Sequence, residues 1–185
     1  MVKVTDKDVV EVKEMLHRIA VDQFDTHGEV APFFAVIGDR EPKNLEQVTK
    51  QGGLPLHVTE VNKASPDLKL PVLVGIYLHG IPKSLWQGLM QATARDVNAT
   101  ALMFSVESWI VPTFESKQAV DEWFDEHDSL SEHPDAEEQV QVSTNWRDGT
   151  MIMERALIHP ITRKLTDWED VESDEVDGRF AGLKW

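Results

Sequence analysis

Apolar positions recur along this chain with two periods, and the switches between them mark its elements. From Thr5 to Phe24, the residues Val9, Val12, Leu16, Ile19 and Ala20 fall three or four apart, and Phe24 extends the stripe. That spacing predicts an amphipathic helix over 5–24 with one buried face. Thr5 with Asp8 three residues on resembles a capping box, and Gly28 ends the segment. Short apolar runs then predict strands at 32–37 (PFFAVI), 56–61 (LHVTEV) and 72–78 (VLVGIYL). Polar stretches at 39–53 and 62–69 read as loops between them.

Pro82 opens a second helix over about 83–98, with Leu85, Leu89, Ala92 and Trp86 assigned to its inner face. It feeds the longest apolar run, 101–111 (ALMFSVESWIV), which reads as a buried strand and stops at Pro112. A short helix at 115–127 has Val120, Trp123 and Phe124 as its anchors, and a loop follows over 128–137. Strands at 138–146 and 150–159 flank Asp148-Gly149, a dipeptide suited to the two positive φ angles of a type I′ hairpin turn. Three helices, about six strands and local pairing at the end predict an α+β fold. Its mixed or mainly antiparallel sheet would be covered by the helices, and α/β is the alternative.

A length of 185 residues suits one domain, placed at 1–165, followed by a tail over 166–185. Hydrophobic residues at 41% and charged residues at 28% are ordinary for a soluble globular chain. No apolar run reaches 18 residues, so no transmembrane helix is expected, and the first residues lack the apolar centre of a secretory signal. The chain has no cysteine, which removes disulfides, thiolate zinc sites and cysteine nucleophiles and fits a cytoplasmic location. A net charge of −15 argues against binding nucleic acid or anionic membranes. The excess acid serves solubility, or else imitates nucleic acid on a partner's basic surface.

Glu107 is the first candidate for chemistry, because it stands in the middle of the apolar strand. An ionised carboxylate there is costly unless a cation or several donors meet it. Alternation puts Met103, Ser105, Glu107 and Trp109 on one face, while Met151, Met153, Arg155 and Leu157 share a face of the last strand. Pairing the isolated anion Glu107 with the isolated cation Arg155 would satisfy both, and a structural ion pair is the expectation. The rival is a metal-dependent hydrolase centred on Glu107 with His133, Asp135 and Glu138, since His and carboxylate ligands cluster at 131–138. Their spacing fits no metal template, and no phosphate loop, dinucleotide fingerprint or nucleophile elbow occurs. No cofactor or metal is expected.

The tail is acidic over 166–177 and ends in Arg179-Phe180-Ala181-Gly182-Leu183-Lys184-Trp185. Trp168, Phe180, Leu183 and Trp185 are the residues assigned to a protein partner or to self-association, although folding back on the domain is favoured for the terminus. The functional expectation is therefore an acidic cytoplasmic protein that acts by contact with another protein.

Overall fold

The computed structural model of the chain describes residues 4–40, 42–43, 55–56, 72–111, 114–171 and 183–185. Helix α1 (Asp6–His27) starts where the sequence places its cap. The Thr5 hydroxyl accepts from the Asp8 amide at 3.3 Å, and the Asp8 carboxylate accepts from the Thr5 amide at 2.7 Å. Gly28, at φ 76°, closes the helix in the left-handed conformation, as expected, and the last helical residue, His27, lies three past the expected span. Val9, Val12, Met15, Leu16, Ala20 and Phe24 are its buried stripe.

The strands are β1 (Phe33–Gly38), β2 (Pro55–Leu56), β3 (Val72–Tyr77), β4 (Ala99–Ile110), β5 (Glu137–Trp146), β6 (Met151–Leu157) and β7 (Glu169–Val171). They form one sheet in the order β2-β3-β1-β4-β5-β6-β7, with every neighbouring pair antiparallel. The α+β expectation holds. The rest of the strand expected at 56–61, and most of both polar loops, lie outside the described residues.

Every residue of β1 is buried because the sheet is covered on both sides. Phe33, Ala35 and Ile37 pack with α1, Ala101, Met103 and Val142. Phe34 and Val36 point the other way, onto helix α2 (Lys83–Asp96) with Leu102 and Phe104. Each large side chain taken from water here contributes roughly 1.5–3 kcal/mol. The inner stripe of α2 is Trp86, Met90, Thr93 and Ala94. Leu85 and Ala92, expected inside, face outward; Leu85 is 55% exposed. The bulk of Trp86 sets that register, since its indole N–H donates to the Ile81 carbonyl at 2.8 Å and its ring meets Phe104 edge-on.

The β5–β6 hairpin also differs from expectation. Its loop is Arg147-Asp148-Gly149, closed by Trp146 N–H on the Thr150 carbonyl and Gly149 N–H on the Trp146 carbonyl. Gly149 has φ 93°, whereas Asp148 is not at positive φ, so the turn is not type I′. One left-handed glycine after an ordinary turn lets a three-residue loop match the strand twist.

The chain stays in the fold beyond residue 165. β7 adds to the sheet edge against Met153–Arg155, which the acidic composition of 166–177 concealed. At the terminus Leu183 is 3% exposed in the α2-side core, with Trp185 packed against the same cluster. Leu183 N–H donates to the Asn145 side chain, and the Trp185 indole donates to the Ala99 carbonyl.

Candidate functional site

Antiparallel register decides which polar side chains meet. Glu107 lies opposite Val140 on β5, and Val140 lies opposite Ala156 on β6. Arg155 is aligned instead with Gln141 and Val106. Directly opposed residues share a face, so Glu107 points to the α1 side and Arg155 to the α2 side. The expected Glu107–Arg155 pair is thereby corrected. Arg155 donates to Glu169 of β7 at 2.6 Å.

Glu107 is met by two groups from outside its strand. The Val30 amide, just past α1, donates to its carboxylate at 3.0 Å. Glu138, diagonal to it on β5, is its side-chain hydrogen-bond partner. Glu138 in turn forms an ion pair with Arg163 from the turn after β6. The Arg163 guanidinium also lies 5.5 Å from the centre of the Phe24 ring.

These contacts divide the two carboxyl groups by protonation. Burial first, and the neighbouring Glu138 next, push Glu107 up to about 7 against the opposing Val30 amide and Arg163. The Arg163 contact holds Glu138 below the usual carboxylate range. Two carboxyl groups in contact cannot both ionise cheaply, so Glu107 keeps the proton and Glu138 the charge.

A second polar group lies on the same face. Glu154 of β6 meets Lys13 at 2.9 Å and His17 at 3.4 Å, both from α1. Trp168 stacks flat on the His17 ring at 4.0 Å. Burial lowers the His17 pKa, although Glu154 opposes that shift. Trp168, assigned from sequence to a partner, is engaged within the chain, as are Leu183 and Trp185; Phe180 lies outside the described residues.

Between β4 and β5 the chain leaves the sheet and builds a separate lobe. It contains helix α3 (Lys117–Glu126) and a 3-10 turn at Leu130–Glu132. Ser116 caps α3 by accepting from the Ala119 amide. No residue of α3 is fully buried. The lobe is held by Phe114, Trp123, His127 and His133: Trp123 stacks on His127 at 3.6 Å and meets His133 edge-on at 4.6 Å. Phe114 contacts both Trp123 and His133. His133 and Asp135, candidates for a hydrolytic centre with Glu107, thus have local roles. The Asp135 amide donates to the His133 ring. Of that set, the contacts described join only Glu107 and Glu138, and no three His, Asp or Glu side chains are grouped for a metal among the described residues.

Phe124, expected as an anchor, is 47% exposed, and Trp109 at the end of β4 is 40% exposed. Around them, residues 114–137 carry nine carboxylates and one lysine, Lys117. More than half of the chain's net −15 is concentrated there. No described helix is long and apolar enough to cross a membrane. Compared with protein-family models, curated proteins and solved structures, the chain matches none.

Sequence reasoning missed Arg163 and the Lys13–Glu154–His17 group. Arg163 stands in a turn with no periodicity, so nothing in its spacing pointed at Glu138. Lys13 and His17 are one helical turn apart beside the apolar stripe, a spacing that does place them together on a helix face.

Proposed function

We propose that this chain acts by protein–protein contact, without catalysis, and that its contact surface is the acidic lobe between β4 and β5. One observation carries the reading: α3 has no buried residue and presents Phe124 amid nine carboxylates and one lysine. An exposed aromatic ring is a common anchor at interfaces, and a field of one sign steers and selects a partner of the other. The fitting partner is a basic protein segment. The surfaces of nucleic-acid-binding proteins have that chemistry, which keeps imitation of nucleic acid within this reading. The absence of cysteine leads us to place the protein in the cytoplasm.

The test uses a fluorescein-labelled decalysine peptide as probe and the full chain as receptor. Binding is expected to weaken steeply with salt, and to fall by about tenfold in Phe124→Ser and in the double variant Asp121→Lys/Asp125→Lys. Equal binding by the charge-reversed variant would show that the peptide binds elsewhere and would overturn the proposal.

A further inference from the structure

The chain enters the lobe from β4 and leaves it into β5, and among the described residues the Leu130–Glu132 turn also contacts β4. Where the two strands leave the sheet, Glu107 and Glu138 occupy neighbouring diagonal positions, beside the paired positions Ser108–Gln139, Trp109–Glu138 and Ile110–Glu137. Among the described residues, Glu107 is tied to the end of α1 through Val30, and Glu138 to the turn after β6 through Arg163. On the α1 side the neck of the lobe is thus bridged by a carboxyl–carboxyl contact that reaches elements beyond the two strands, while on the other face the Gln139 side chain donates to Ser108 at 3.1 Å.

We infer that the Glu107–Glu138 contact is a proton-dependent latch at the neck of the lobe, closed when Glu107 is protonated and loosened when it ionises. The partner-binding consequence rests on the function proposed above. With its proton, the Glu107 carboxyl donates to the Glu138 carboxylate; without it, two like charges face each other in a partly dry site. Glu138 from β5 and Arg163 from the 159–165 turn are the charged groups acting on Glu107, and the segment after α1 contributes the uncharged Val30 amide. The nearby titratable residues His27, Glu29 and His159 are exposed. Arg163 is engaged by Glu138, and its pull on the ionised form of Glu107 is outweighed by burial and by Glu138. The raised affinity of Glu107 for its proton, with half-loss at about 7, places the change near neutral pH. A loosened lobe must be ordered again on binding, so the open latch weakens the complex.

The experiment compares the full chain with Glu107→Gln, which imitates the protonated carboxyl and keeps its donor. Hydrogen exchange of the 114–136 amides, corrected for intrinsic rates, is read at pH 6 and pH 8, together with decalysine affinity. In the parent, the lobe is expected to exchange faster at pH 8 than at pH 6, while Glu107→Gln stays protected at both. At pH 8 the variant should bind the peptide about fivefold more tightly than the parent, and at pH 6 the two should agree. Comparing both proteins at one pH cancels every pH effect that the two have in common. Exchange in Glu107→Gln that rises with pH as in the parent would overturn the latch, whether or not the peptide binds. Exchange that follows the latch, with no peptide binding by either protein, would leave the latch standing and overturn the proposed function.

Discussion

Glu107 and Glu138 share a single proton where β4 and β5 leave the sheet. Glu107 holds it because its surroundings are drier, and Glu138 holds the negative charge because Arg163 lies beside it. Below about pH 7 an anion in an apolar strand is thus avoided by protonation, and no guanidinium contacts Glu107 directly among the described residues. This arrangement has consequences for stability.

Folded Glu107 gives up its proton at about 7, against an ordinary 4.5 in the unfolded chain. The folded state therefore binds more protons in that window. Its contribution to stability is full below about 4.5 and is lost as pH rises through about 7. Glu138, depressed by Arg163, acts in the opposite sense and only as pH falls through the acid range. Glu107→Gln should flatten the loss between pH 5 and 8 and unfold at higher urea than the parent at pH 8. Urea midpoints across that range measure it, and parallel curves for the two proteins would refute it.

His17 and Trp168 make a second titration test. The imidazole is depressed mainly by burial, and one ring face is covered by Trp168. Removing that cover in Trp168→Ala should move the His17 midpoint upward, as followed by the ring proton resonances. An unmoved midpoint would place the desolvation elsewhere. In the parent, neutral His17 means that stability falls as pH drops below about 6.5.

The register of α2 separates two leucine-sized side chains cleanly. Met90 is fully buried and Leu85 is mostly in water. Met90→Ala should cost roughly 2–5 kcal/mol, and Leu85→Lys should stay within about 0.5 kcal/mol. Similar losses from chemical denaturation of both would mean that the helix is rotated from the position described.

The last three residues are part of the core rather than a free arm. Leu183→Ala should lose roughly 2–5 kcal/mol, and a chain ending at residue 182 should lose more. The Trp185 indole bond to Ala99 and the Gln91 bond to the Lys184 carbonyl are lost with the removed residues. A truncated chain with an unchanged urea midpoint would contradict this packing.

Helix α1 and the apolar strands were legible because capping chemistry and hydrophobic period act locally. The Thr5–Asp8 box, Gly28 and the run from Phe33 to Ile37 all have the structure their sequence dictates. Facing across the sheet was not legible. Alternation correctly put Glu107 and Arg155 each on one face of its own strand, but only the register of β5 between them reveals that the faces differ. The docked terminus was hidden in a similar way. Its apolar residues promised a contact, and nothing local distinguished the chain's own core from a partner's surface. The α2 stripe slipped by one position because adjacent Leu85 and Trp86 fit the helical period almost equally well, and only packing against Phe104 separates them.

The most direct check is a titration of the Glu107 side-chain carboxyl by carbon-detected NMR, assigned through Glu107→Gln. We predict a midpoint of about 7, with Glu138 titrating below the usual carboxylate range. A Glu107 midpoint at the ordinary 4.5 would contradict the shared proton and return that side chain to solvent or to a cation.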